Sequence, residues 1–276
     1  LALARVRQTT GAFVTVQEDH APLILSIDTT TDVRSVAVVA GAHIRAQALN
    51  NLRGQHSANL LGDIDHVLTE AHLRLEELDL LVAATGPGSF TGLRAGLATI
   101  KAFAAALNKP VVGVPTLHAV ARATDHIGHI VATLPAGRGE LFAQLLACEP
   151  DGMVTELTAP AHLPPAALIE RALLWPMPLT WAGAGAQAQA ELLEAAAARA
   201  GIDWFVESDT IESSHSVTDE PARRLWLLAR PPEALAGAVA QLALRVYETG
   251  GAVQAEELRA LYVRLSDAEL NERCRV

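Results

Sequence analysis

Seven residues, Gly86-Pro87-Gly88-Ser89-Phe90-Thr91-Gly92, hold the densest chemistry in this chain. They follow an apolar run, Leu80 to Ala84, and lead into a helix-forming stretch, Thr91 to Leu107. Glycine at a strand-to-helix turn permits positive φ and lets another group approach the backbone closely. Ser89 or Thr91 can cap the helix, whose first N–H groups then face whatever lies over the turn. Such a turn can cradle an anion. It is no Walker loop, because no Gly-Lys-Ser/Thr follows, and its glycine spacing is not G-x-G-x-x-G. The nucleophile-elbow spacing G-x-S-x-G is missing too, so Ser89 reads as a helix cap and not as a nucleophile.

Asp28 is the second candidate. It ends the apolar run Leu23 to Asp28 and precedes Thr29-Thr30-Thr31. One reading has its carboxylate orient Mg-bound phosphates. The other has it hydrogen-bond its own turn, Thr29–Asp32, as Asp and Thr ordinarily do. A single acid favours the second reading, since one carboxylate in one half of the chain is weak evidence for an ion site. The corresponding second-half segment, Pro135-Ala136-Gly137-Arg138, has none.

The elements that would position these groups repeat. Leu23–Asp28, Ser35–Ala40 and His43–Asn50 read as strands with tight turns between them. An amphipathic helix follows, with Leu60, Leu61, Ile64, Val67, Leu68 and Ala71 on one face. Then come strand Leu80–Ala84 and helix Thr91–Leu107, giving βββαβα. The second half offers strands His129–Leu134, Glu140–Cys148 and Val154–Thr158, helix Pro165–Leu173 and strand Leu179–Ala182. Gly183-Ala184-Gly185 then opens a helix Ala186–Ala200. The same order twice predicts a duplicated α/β fold. Beyond Ile202 only a helix over Glu233–Tyr247 is legible. The expected organisation is an extension over 1–21, a first lobe over 22–115, and a second lobe with C-terminal helix and tail over 116–276.

Composition narrows the function. The 276 residues suffice for a two-lobed core, and 21 basic against 31 acidic residues leave a net charge of −10. That balance disfavours gripping a nucleic-acid backbone directly. No run of 18 or more apolar residues appears, so no membrane span is expected. Cys148 and Cys274 form no CxxC or metal spacing and suit a reducing cytoplasm. Residues 1–21 carry no long apolar segment and no small-residue cleavage pattern, so a loose extension is expected there and not a secretory signal.

Three stretches carry a family resemblance: Ile24-Leu25-Ser26-Ile27-Asp28-Thr29-Thr30-Thr31, His56-Ser57-Ala58-Asn59-Leu60-Leu61, and Thr85 through Leu117 with its Gly-Pro-Gly-Ser-Phe-Thr-Gly-Leu-Arg run. The chain resembles the TsaB or YeaZ family, dimerisation subunits of the bacterial machinery that forms threonylcarbamoyladenosine on tRNA. The likeness is dense over 22 to about 150 and thin beyond, with a fainter match at Leu261-Tyr262-Val263-Arg264. It implies the duplicated lobes of actin, sugar kinases and heat-shock chaperones. It also implies that helices His56–His72 and Thr91–Leu107 pair with the same helices of a partner. Leu60, Leu61, Ile64, Leu68, Arg94, Leu97 and Lys101 are the expected interface. Asp28, Thr29, Gly86, Gly88, Ser89 and Thr91 would form a vestigial phosphate cradle.

The family's second-lobe turn usually begins with an acid, and Pro135 stands there instead. The family's catalytic paralogue holds metal with two histidines four residues apart. Here the pair is His118 and Arg122, and a guanidinium is no ligand. His126 and His129 lie nearby, but no metal site is expected. The resemblance thus implies a non-catalytic scaffold that binds and activates that paralogous threonylcarbamoyltransferase (TsaD-type). An ATPase subunit (TsaE-type) would join it, a second copy of the chain is the other expected partner, and tRNA would be met only through the complex. No cofactor would be required, any nucleotide binding would be weak, and ATP and metal would belong to the partners. Two competitors remain: a free-standing nucleotide-dependent transferase or kinase of this fold, and a homodimeric regulator with no tRNA role.

Overall fold

The computed structural model describes residues 21–41, 43–51, 60–207 and 224–263. The His56-Ser57-Ala58-Asn59 stretch, Cys274 and nearly all of the expected N-terminal extension lie outside them. The first lobe runs β1 (Leu23–Asp28), β2 (Val33–Ala40), β3 (His43–Asn51), α1 (Leu60–Glu70), β4 (Leu80–Ala84), α2 (Phe90–Leu107) and β5 (Val111–Val114). Its sheet has the order β3-β2-β1-β4-β5. β2 is antiparallel to both neighbours, whereas β1, β4 and β5 are parallel. Every residue of β4 and all but the first of β1 are buried, as expected for strands covered on both faces.

The second half contains α3 (Thr116–Arg122), β6 (Gly128–Gly137), β7 (Glu140–Cys148), β8 (Val154–Glu156), β9 (Ala161–Leu163), α4 (Pro165–Ala172) and β10 (Leu179–Ala182). It continues with α5 (Ala184–Ala188), α6 (Ala190–Ala200), β11 (Asp203–Val206), β12 (Leu225–Leu228) and α7 (Ala236–Glu248). The order β8-β7-β6-β10-β12 repeats the first sheet, so the duplicated βββαβα fold is present, with β11 added at the edge and β9 on β7. Besides β11 and β12, which the sequence reading did not include, two details differ from it. The helix expected over Ala186–Ala200 is two, broken at Gln189, whose φ of −115° and ψ of 15° leave the helical region. The third strand stops at Glu156, and β9 supplies a second partner for β7.

Three apolar clusters define the layers. α1 and α2 cover the outer face of the first sheet through Ile64, Val67, Leu93, Leu97 and Ile100. α4, α5 and α6 cover the outer face of the second through Leu168, Ala186 and Leu193, around an edge-to-face pair of buried tryptophans, Trp181 and Trp226. Between the sheets lie α7, packed on the first, and α3, packed on the second. α7 therefore belongs spatially to the first sheet, although it follows the whole second lobe in sequence. A side chain of that sheet caps it: the buried Ser35 Oγ on β2 accepts from the N–H groups of Leu235 at 3.3 Å and Ala236 at 3.0 Å. Ser35→Ala orphans both donors and is expected to lower stability by about 1–2 kcal/mol. A urea midpoint displaced at constant slope reads that loss.

Candidate functional site

The glycine-rich turn and the end of β1 meet, and what fills the turn is the protein's own backbone. Ser89 N–H donates to the Thr30 carbonyl at 2.7 Å, and Thr29 Oγ1 donates to the Gly92 carbonyl at 2.7 Å. A Cβ at Gly92 would lie 1.8 Å from the Thr29 carbonyl oxygen, and one at Gly88 would lie 2.3 Å from that of Thr30. The glycines thus admit the Thr29–Thr30 turn, which occupies the space an anion would need. Ser89 caps α2 by accepting from Gly92 N–H at 3.2 Å, while Thr91 faces solvent. The second lobe repeats the device, since a Cβ at Gly183 would lie 2.2 Å from the Thr133 carbonyl oxygen.

Asp28 serves this same turn. It is fully buried, and its Oδ1 accepts from Thr30 N–H at 2.8 Å and Thr30 Oγ1 at 2.6 Å, while Oδ2 accepts from Thr31 Oγ1 at 2.8 Å. Thr30 Oγ1 also lies 3.0 Å from Thr116 Oγ1, which in turn accepts from Gly86 N–H at 3.1 Å. Because the single hydroxyl hydrogen of Thr30 goes to Asp28, Thr116 must donate to Thr30. The result is a one-way chain from Gly86 through Thr116 and Thr30 to the carboxylate. Burial raises the Asp28 pKa, and the three hydrogen bonds oppose that rise.

A cavity of about 710 Å³ opens beside this turn, between the lobes. Thr31, Ser89, Phe90 and Arg94 line one side, Pro135, Ala136, Gly137 and Phe142 the other, and Leu261, Tyr262 and Val263 a third. Magnesium and a nucleoside triphosphate, the cofactor pair of kinases on this fold, do not fit these residues. The first-lobe acid is buried and already accepts three bonds, its glycine turn is filled, and the second-lobe turn presents Pro135. Two of the candidate histidines, His118 and His126, are likewise engaged. His118 meets Glu156 at 2.9 Å, His126 meets Glu207 at 3.3 Å, and Arg122 pairs with Asp125 at 2.7 Å. Among the described residues no group of three His, Cys, Asp or Glu side chains could hold a metal ion.

Burial lowers the His118 pKa, with Glu156 pulling the other way. The sign follows: the neutral ring is preferred in the fold, so its contribution is intact above the unfolded pKa near 6.5 and is lost as pH falls below it. Wild type is therefore expected to lose more stability than His118→Gln between pH 7.5 and 5.5, read as the difference between their urea midpoints.

The expected interface residues divide by burial. Ile64, Leu68 and Leu97 are 2%, 9% and 7% exposed and sit in the core under the first sheet, so they have no surface to offer a partner. Each helix has one apolar stripe at i, i+3, i+4 spacing, and the lobe itself uses it. Leu61, at 57% exposed, points outward, Arg94 is exposed, and Leu60 and Lys101 are half-buried. Between them lies a face built of the small residues that the sequence concentrates in α2. Thr91, Arg94, Ala95, Ala98, Ala102 and Ala105 are all exposed on one face of α2. By length and composition alone α2, with mean hydropathy 1.2 over 18 residues, could cross a membrane. Its buried residues are Leu93, Gly96, Leu97, Ile100 and Ala104, packed on the first sheet, and the small-residue face opposite stays open.

Known proteins resemble this chain in part of its sequence and in its fold. The family model for TsaD, tRNA N6-adenosine threonylcarbamoyltransferase, matches residues 50–171. A tRNA N6-adenosine threonylcarbamoyltransferase of Chelativorans sp. (strain BNC1) is 41% identical over 125 residues, covering 44% of this chain and 33% of the relative. The tRNA threonylcarbamoyladenosine biosynthesis protein TsaB of Bacillus subtilis (strain 168) is 28% identical over 123 residues, covering 44% of this chain and 54% of the relative. The chain thus spans between a third and about half of these relatives' lengths. The structure of YeaZ from Pseudomonas aeruginosa superposes with a TM-score of 0.64 at 22% identity, over 87% of this chain and 99% of YeaZ. In sequence the chain is thus similar to TsaB proteins over a little under half of its length, and in fold it is similar to YeaZ.

Proposed function

We propose that this chain is a non-catalytic scaffold in the cytoplasmic synthesis of threonylcarbamoyladenosine on tRNA. It binds the paralogous threonylcarbamoyltransferase and holds it in an active geometry. Rate enhancement comes from the partner conformation that binding stabilises, not from side chains donated here. An ATPase subunit joins the pair, tRNA is met through the transferase, and the same surface closes a homodimer when the transferase is absent.

The observation that carries this reading is the open face of α2. Small side chains let a second helix approach closely, and Leu61, Arg94 and Lys101 supply the bulk and charge at its margins. The filled glycine turn supports the non-catalytic half of the proposal, because it leaves a nucleotide no cradle. The net charge of −10 supports indirect contact with tRNA.

The test is an omission assay. The transferase, the ATPase subunit, the adenylate-forming enzyme, ATP, threonine, bicarbonate and tRNA are combined with and without this chain. Modified adenosine that forms only with the chain present, together with no heat of Mg-ATP binding to the chain alone, supports the scaffold. Unchanged modification on omission overturns it, and tight Mg-ATP binding would favour the kinase-like competitor.

A further inference from the structure

The Leu261-Tyr262-Val263 segment has a use that the scaffold reading does not include. After α7 the chain turns back along the first lobe as a strap. Val253 and Val111 exchange both backbone hydrogen bonds at 2.9 Å, which covers the free edge of β5. Ala255 and Leu258 are buried in the first-lobe core, with Leu258 against Gly113. Leu261 N–H then donates to the Thr85 carbonyl at 2.7 Å, and its own carbonyl lies 2.9 Å from where a Cβ of Gly86 would stand. These anchors deliver the next side chain to the start of α2. The Tyr262 ring lies 5.8 Å from that of Phe90, and the Arg94 guanidinium lies 3.8 Å from the Phe90 centroid.

These three side chains are stacked on one another and remain partly open to water. Tyr262 is 52% and Phe90 38% exposed, and Arg94 is exposed as well. Tyr and Arg are the residue types that dominate binding energy at protein interfaces, especially where neighbours hold them still. Here the strap fixes Tyr262, Tyr262 abuts Phe90, and Phe90 carries Arg94. Arg94 also belongs to the open small-residue face, so the stack and that face form one surface.

We propose that the C-terminal strap is part of the partner-binding surface, with Tyr262, Phe90 and Arg94 as its rigid anchor and the threonylcarbamoyltransferase paralogue as its occupant. The inference rests on the scaffold reading above and adds a residue from the far end of the chain to that surface. A second copy of this chain is the competing occupant.

Affinity for the paralogue is measured by calorimetry on the full-length chain, with Tm followed in parallel. Tyr262→Ala is expected to weaken binding about ten-fold, as loss of an interface anchor does, and Tyr262→Phe to stay within about two-fold of wild type. Tm should not move, because the strap is held by Val253, Leu258 and the Leu261 backbone. Phe90→Ala should weaken binding similarly, and the double variant should fall short of the product of the two, since paired rings act as one unit. Unchanged affinity in Tyr262→Ala overturns the proposal. So does weakening that tracks a lowered Tm or that Tyr262→Phe shares. Loss of self-association alone, with binding to the paralogue intact, overturns the choice of occupant. If wild type itself does not bind the paralogue, the scaffold reading fails first and takes this inference with it.

Discussion

Gly92→Ala is expected to destabilise the chain by about 3 kcal/mol or more, at the upper end for overpacking a buried contact. Local preference points the other way. Gly92 lies in the first turn of α2, where alanine is a better helix former by about 1 kcal/mol. The contact decides the sign. The added methyl would stand 1.8 Å from the Thr29 carbonyl oxygen, which is backbone and cannot rotate aside. Relief requires parting the β1 turn from α2, which breaks the Thr29–Gly92 and Ser89–Thr30 hydrogen bonds. It would also disturb the Thr30 and Thr31 donors that satisfy buried Asp28. Thr91→Ala, one residue away and facing solvent, should change stability by no more than about 0.5 kcal/mol. Chemical denaturation of both variants checks the contrast. A Gly92→Ala protein as stable as wild type would show that the turn can open, and a ligand cradle would have to be reconsidered.

That contrast shows where the sequence was informative and where it was silent. The apolar runs of β1 and β4, the glycine punctuation and the repeated order of elements are local signals, and the duplicated fold was legible from them. The glycines themselves announced close approach to the backbone. What approaches is Thr29, 63 residues away, and no pattern within the turn identifies it. The helix stripes were equally visible, but periodicity does not say whether a stripe meets its own sheet or a partner. Ile64, Leu68 and Leu97 face the sheet, and the outward surface is the alanine face opposite, whose small residues the sequence shows without saying which side they take. β11 and β12 escaped because they are four-residue strands paired out of chain order, with β12 lying between β10 and β11. α7 was legible as a helix. Its place on the first sheet depends on Ser35, 201 residues before Ala236.

Leu61→Asp is expected to weaken binding to the transferase at least about ten-fold while leaving the fold intact, which corresponds to about 1.4 kcal/mol or more. The fold tolerates the change because Leu61 is 57% exposed and lies in the first turn of α1. An acid there is mildly favoured by the helix dipole, by about 0.3–1 kcal/mol. In a complex the same carboxylate would be desolvated against an apolar partner helix without a counter-charge, a penalty well above that gain. Ile64→Asp supplies the opposite pattern. At 2% exposed, Ile64 would bury the charge inside the lobe, so the chain should unfold rather than merely release its partner. Calorimetric affinity and Tm, measured together on the two variants, separate a surface role from a core one. If Leu61→Asp binds the transferase as wild type does, the outward side of α1 is not the docking surface. The contact would then be confined to α2 and the strap beside it, and the homodimer should survive the same substitution.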